Sequence, residues 1–140
     1  MTFRKSTLRL IPKAMIVTAM IATLFACGDP KAQPVPIIVT FNPNYLPPAT
    51  LNTGAYAGIA ADVANDNKNA GVGFSCTPAE ACGSFTPTGA GSTIPVCYLA
   101  PDAVPPGNTV TVTATSRTDA TKSVSATITI MNGAPNPCPP

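Results

Sequence analysis

The side chains able to do chemistry in this chain are few. It has five cysteines and six Asp or Glu residues, but no histidine and no tryptophan. Without histidine, the commonest general base and the commonest metal ligand are both missing. Catalysis would then need paired carboxylates or an activated Ser, Thr, Lys or Cys. Asp62, Asp66, Glu80, Asp102 and Asp119 are scattered singly through the domain. Hydrophobic alternation puts Asp62 on the outward face of a strand and the other four in loops. A glycosidase-type pair needs two carboxyls held about 5 to 9.5 Å apart across a cleft, and nothing in this spacing supports one. They are expected to be solubilising surface charges, no catalytic residue is assigned, and the chain is not expected to be an enzyme. Asn65-Asp66-Asn67-Lys68-Asn69 sets oxygen-bearing side chains at alternate positions, which suits Ca²⁺. Lys68 puts a cation in that loop, Gly71 comes one position late, and no Glu closes it. An Asn/Asp turn is expected there, with no metal and no cofactor. Tyr45, in the turn Asn-Pro-Asn-Tyr-Leu-Pro-Pro, is the tyrosine most open to a glycan or peptide. Packing over one end of the domain is expected of it instead.

The charge of the chain divides sharply along its length. Arg4, Lys5, Arg9 and Lys13 precede an uncharged, mostly apolar run of thirteen residues, Ala14 to Ala26. This is the layout of a secretory signal peptide, and the run is shorter than the roughly 20 residues of a spanning helix. Leu24-Phe25-Ala26-Cys27 resembles the bacterial lipobox, with Leu24, Ala26 and Cys27 in place and Phe25 where the family prefers a small residue. The resemblance implies cleavage after Ala26 and lipidation of Cys27, so that the protein meets the membrane through its N-terminal lipid. Gly28 stands where an Asp would signal inner-membrane retention, which favours the outer membrane. The alternative is ordinary cleavage nearby, for example after Gly28, giving a secreted or periplasmic protein. Either way the formal +2 of the whole chain becomes −2, because Lys31, Lys68, Arg117 and Lys122 remain against all six acids. No basic patch with interleaved aromatics exists, so nucleic acid is not an expected partner.

With Cys27 lipidated or removed, Cys76, Cys82, Cys97 and Cys138 remain. Four cysteines in an oxidising compartment imply two disulfides, with three possible connectivities. Cys76 and Cys82 bracket a loop of five residues, which favours Cys76–Cys82 and leaves Cys97–Cys138 to tie down the C-terminal tail. The spacing is not the C-x-x-C of redox motifs, and no histidine completes a zinc set.

The elements that would carry these residues are strands. Ile37, Val39 and Phe41 alternate with polar or outward positions. Ala57, Ile59, Ala61 and Val63 alternate with Gly58, Ala60, Asp62 and Ala64. Short strands are expected around Val72 to Cys76, at Phe85, and over Ile94, Val96 and Tyr98. The clearest pattern is C-terminal: Val110, Val112 and Ala114, then Val124, Ala126, Ile128 and Ile130, each alternate with Thr or Ser. These two runs predict an antiparallel hairpin with an outward hydroxyl face. About seven strands with frequent turns in roughly 100 residues describe an all-β sandwich. The divisions expected are a signal peptide over 1–26, a tether over 27–36, a sandwich over 37–131 and a Pro-rich tail over 132–140.

The stretches Asn69 to Ser75, Leu99-Ala100-Pro101, Thr109 to Ser116 and Thr121 to Ile130 resemble bacterial immunoglobulin-like domains. The resemblance covers residues 35 to 131 and is most specific in the terminal hairpin. It implies an immunoglobulin-like antiparallel β-sandwich with a structural, spacer or adhesive role, and it carries no catalytic residues. Phe74 stands where the family usually has Trp, which makes the central core aromatic smaller. The expected role is that of a non-catalytic cell-envelope lipoprotein that binds envelope proteins or surface glycans. The alternative is a docking or accessory subunit of a larger envelope complex, such as a secretion or pilus system. The nearly uncharged Thr/Ser strands invite strand addition by a partner.

Overall fold

A computed structural model describes residues 33–86 and 95–136. The expected signal segment, Cys27, Ile94 and Cys138 lie outside the described residues. Nine strands are found among the described residues: β1 (Ile38–Phe41), β2 (Thr50–Asn52), β3 (Tyr56–Ile59), β4 (Ala61–Ala64), β5 (Val72–Thr77), β6 (Ser84–Thr86), β7 (Val96–Leu99), β8 (Thr109–Ser116) and β9 (Ser123–Met131). One sheet has the order β2-β9-β8-β5, a second has the order β3-β7-β6, and β1 pairs with β4. The described residues are all-β and sandwich-like, as their alternating pattern requires.

The count exceeds the seven expected for two local reasons. The first is that residues 56 to 64 are not one strand. β3 pairs with β7 and β4 pairs with β1, and Ala60 lies between them in neither ladder. The alternation predicted for this stretch fails there, because Ile59, Ala60 and Ala61 are all fully buried. Alanine's small side chain lets the backbone turn from one partner to the next inside the core. The polar groups freed at the break are satisfied by the β1–β2 loop: Ala60 N–H donates to the Tyr45 carbonyl at 3.0 Å and Ala60 C=O accepts from Asn42 N–H at 2.9 Å. The second reason is β2, whose three residues are too short to show a period. β2 runs parallel to β9, Leu51 beside Ile130, so the sandwich is not wholly antiparallel.

The C-terminal hairpin forms in the predicted register, with Val110 opposite Ile128 and Val112 opposite Ala126. Val110, Val112, Ile128 and Ile130 are fully buried and meet Leu51, Ile59 and Tyr98 from the other strands. Each such side chain contributes about 1.5–3 kcal/mol of transfer free energy. A smaller cluster, Val39, Ala61 and Ala114 with Val63, Val72 and Val124 against it, fills the space beneath β1 and β4. The central aromatic is not Phe74, which is half-buried, but Tyr98 on β7. Phe85 bridges the two, with ring centroids 5.7 Å from Phe74 and 5.1 Å from Tyr98. Three rings in tilted contact thus stand where the resemblance implied a single Phe74 in place of Trp.

Candidate functional site

Two loop clusters, at opposite ends of the long β8–β9 hairpin, hold most of the side chains singled out above. The first cluster joins the β4–β5 loop to the β8–β9 loop. Asp66 is its centre. Its Oδ1 accepts from Lys68 N–H at 3.1 Å and from Thr118 Oγ1 at 2.6 Å, and its Oδ2 accepts from Gly71 N–H at 3.1 Å. The Thr118 hydroxyl, with help from these backbone N–H groups, holds the carboxyl below its ordinary range. Asn65, Asn69 and Gly71 adopt positive φ, the left-handed geometry an Asn/Asp turn uses. In the facing loop, Asp119 Oδ1 accepts from the Thr121 hydroxyl at 2.7 Å and from Thr121 N–H at 3.0 Å. Those bonds, with the Lys122 charge beside them, also hold its pKa below the ordinary carboxylate value. Ser116 closes the cluster from below. It belongs to β8 rather than to the loop and is almost completely buried, and its Oγ accepts from Thr118 and Asp119 N–H groups at 3.2 Å each. The chain enters the domain at this same end, where Asn65 Nδ2 donates to Pro36 C=O at 2.8 Å.

The second cluster contains the cysteines. Cys76 and Cys82 are disulfide-bonded, as the spacing favoured, with Cα atoms 5.8 Å apart. Tyr98 anchors this loop from inside: its buried hydroxyl donates to Cys82 C=O at 2.6 Å. Burial pushes the Tyr98 hydroxyl up to about 12. Gly83 follows at φ +87, and a Cβ there would overlap the Leu99 carbonyl oxygen. Cys97 is disulfide-bonded as well. It sits on β7 opposite Gly58, on the face away from Tyr98, yet is only 6 % exposed. The tail docks nearby, as Tyr56 N–H donates to Asn136 C=O at 2.9 Å and Asn52 Nδ2 to Ala134 C=O at 3.0 Å.

The carboxylates are not brought together. Asp66 and Asp119 belong to the first end, Glu80 lies in the disulfide loop, and Asp102 lies beside Gly54. Asp62 departs from expectation. It is half-buried rather than a solubilising charge: Oδ2 accepts from Asn42 Nδ2 at 3.0 Å, while Oδ1 is enclosed without a hydrogen-bond partner. The cause is the Asn42–Tyr45 loop, which folds back over β4 to serve Ala60 and covers the carboxyl on the way. Tyr45 is 39 % exposed on that loop, and its backbone N–H donates to Asn42 C=O at 3.0 Å. Among the described residues, no three His, Cys, Asp or Glu side chains come close enough to hold a metal ion.

The outward face of the four-stranded sheet is a field of hydroxyls. Its rows are Ser75-Thr113-Ser125, Thr77-Thr111-Thr127 and Thr109-Thr129-Thr50, each running across three strands. Thr113 and Ser125 hydrogen-bond at 2.8 Å. No charged side chain interrupts these rows. The strand pattern predicted the β8–β9 part of this face. It missed the Asp66–Thr118 bond, because the two residues are 52 positions apart and only the fold joins them. The Tyr98–Cys82 bond was missed for the same reason.

Comparisons of the chain with protein-family models, with curated proteins and with solved structures find no significant match.

Proposed function

We propose that this chain is a non-catalytic, exported cell-envelope lipoprotein with a single immunoglobulin-like domain and a structural or adhesive binding role. The observation that carries the reading is the strand order. Taking the interrupted β3 and β4 as one strand, one layer reads β1-β4/β3-β7-β6 and the other β2-β9-β8-β5. Immunoglobulin-like sandwiches place strands A, B, E and D in one layer and C, F and G in the other. The present order matches if β1 and β2 are two halves of an A strand that changes layer and β5, β8 and β9 are C, F and G. Phe74 then falls on strand C, where the family usually carries Trp. A disulfide within the domain suits an oxidising compartment, and no helix among the described residues is long and apolar enough to cross a membrane. Anchoring rests on the lipobox-like Leu24 to Cys27. The sparse, dispersed carboxylates and the missing histidine favour binding over catalysis.

The alternative, a docking subunit of a larger envelope assembly, draws on the uncharged hydroxyl face and on β5, whose outer edge has no strand partner among those described. Crosslinking in intact cells, followed by mass spectrometry, separates the two. Crosslinks from Ser75, Thr113 or Thr127 to one stoichiometric protein support the docking subunit. Crosslinks to glycan, or to varied proteins, support the adhesive role. Recovery of a robust hydrolytic or transferase activity from the purified chain would contradict both.

A further inference from the structure

The three basic residues beyond position 33, Lys68, Arg117 and Lys122, all lie at one end of the domain. Their loops are joined there by the Asp66–Thr118 bond and by Arg117 N–H donating to Gly71 C=O at 2.9 Å. This is also the end at which the chain enters, since Asn65 holds Pro36. Glu80 and Asp102 lie at the opposite end, beyond the ends of β5 and β7. The eight residues of β8 separate the two ends by about 23 Å.

We propose that this basic end docks directly on an anionic phospholipid surface, so that the sandwich stands on the membrane with its disulfide loop pointing away. The inference rests on the reading that Cys27 anchors the chain. Nine residues separate Cys27 from Pro36, which Asn65 holds at this end, so an anchored chain keeps the end within about 30 Å of the lipid. Docking is then an intramolecular step at high effective concentration, and weak contacts suffice. The overall charge of −2 does not oppose it. Screening acts over about 8 Å at physiological salt, so Glu80 and Asp102 are nearly invisible from the surface. Within the joined loops there are three cations against Asp66 and Asp119, a net +1, while Asp62 is half-buried on β4, three residues or about 10 Å back from Asn65, with Oδ2 bonded to Asn42. Both carboxylates are drawn into their own loops by hydrogen bonds, whereas Lys68 and Arg117 are exposed. Val35 and Ile38, 67 % and 52 % exposed, add apolar surface at the entry to the domain. Exposed apolar residues occur at the far end too, in Tyr56 and Met131, so charge is what distinguishes the two ends.

The test uses the full chain extracted from the envelope of an expressing bacterium. It is reconstituted into vesicles of phosphatidylcholine, with or without phosphatidylglycerol. Limiting amine acetylation, read by mass spectrometry, gives the labelling rates of Lys68 and Lys122. A net local charge of +1 predicts rates about fivefold slower on the anionic vesicles, recovering at 1 M salt. Asn67→Lys, at an exposed position of the same loop, raises the effect to about 25-fold, and Arg117→Gln abolishes it. Equal rates on both vesicles, with a Cys27 peptide of acylated mass in the same sample, overturn docking alone. Lipid-dependent rates with an unacylated Cys27 leave docking standing and overturn the anchor. Equal rates with an unacylated chain overturn both.

Discussion

Asp66 and Tyr98 are the two residues whose protonation most directly reports the fold, and they act at opposite ends of the pH scale. Asp66 and Asp119 have lowered pKa values in the folded chain, caused first by the Thr118 and Thr121 hydroxyls respectively. Their stabilising contribution is therefore present above the ordinary carboxylate value and is lost as pH falls through the lowered folded value. The melting temperature should fall on acidification below about pH 4, and Thr118→Val should flatten that limb while lowering the plateau. A variant with an unchanged acid limb would mean that the Asp66–Thr118 bond carries no linkage. Tyr98 runs the other way. Its folded value, raised to about 12 by burial, lies above the unfolded 10, so its contribution is intact below pH 10 and disappears between 10 and 12. Tyr98→Phe should remove that alkaline step. It should also cost about 1–3 kcal/mol at neutral pH, because Cys82 C=O loses its buried donor. Denaturant unfolding at pH 7 and pH 11 measures both effects.

At the scale of elements, the hairpin and the disulfide turn dominate. Ile128→Ala removes a fully buried side chain from β9 and should destabilise by about 2–5 kcal/mol. Ser125→Ala, on the outward face of the same strand, should change stability by less than about 1 kcal/mol. Gly83→Ala meets both a positive φ and the Leu99 carbonyl, so a loss on the order of 3 kcal/mol or more is expected, with poor recovery of soluble protein. Near-native stability in Gly83→Ala would mean that the turn is not built as described. These elements also show what could be read from the sequence. β8 and β9 were legible because eight or nine residues of strict alternation leave one possible face. The break at Ala60 was not, since Gly58, Ala60 and Ala61 are small enough to fit an outward or an inward position, and only pairing partners decide. β2 was hidden because three residues carry no period. The burial of Asp62 was not legible, because a period-two pattern fixes a side chain's face but not which loop folds over that face. The cysteine spacing read correctly for Cys76–Cys82, a local loop. The charge segregation between the two ends was invisible in the linear order, where Glu80 and Asp102 fall between Lys68 and Arg117.

For the whole molecule, a domain of this size buries a modest share of its unfolded surface, so covalent links count. Reduction should remove about 2.4 kcal/mol through the Cys76–Cys82 loop, by the chain-entropy relation. Cys76→Ala/Cys82→Ala should unfold at correspondingly lower denaturant with an unchanged slope. The hydroxyl face, the disulfide-closed turn and the basic end are then three surfaces on one small scaffold, and an anchor at Cys27, as proposed, would set which of them the environment meets. That makes the N-terminus the decisive position. The central claim, an exported chain held to the envelope through Cys27, is tested most directly by the mass of the N-terminal peptide from protein extracted out of membranes. The account predicts a peptide that begins at Cys27 and carries acyl mass, with Cys27→Ser retained at its unprocessed length. A peptide that begins elsewhere, or one that begins at Cys27 with no added mass, would contradict it.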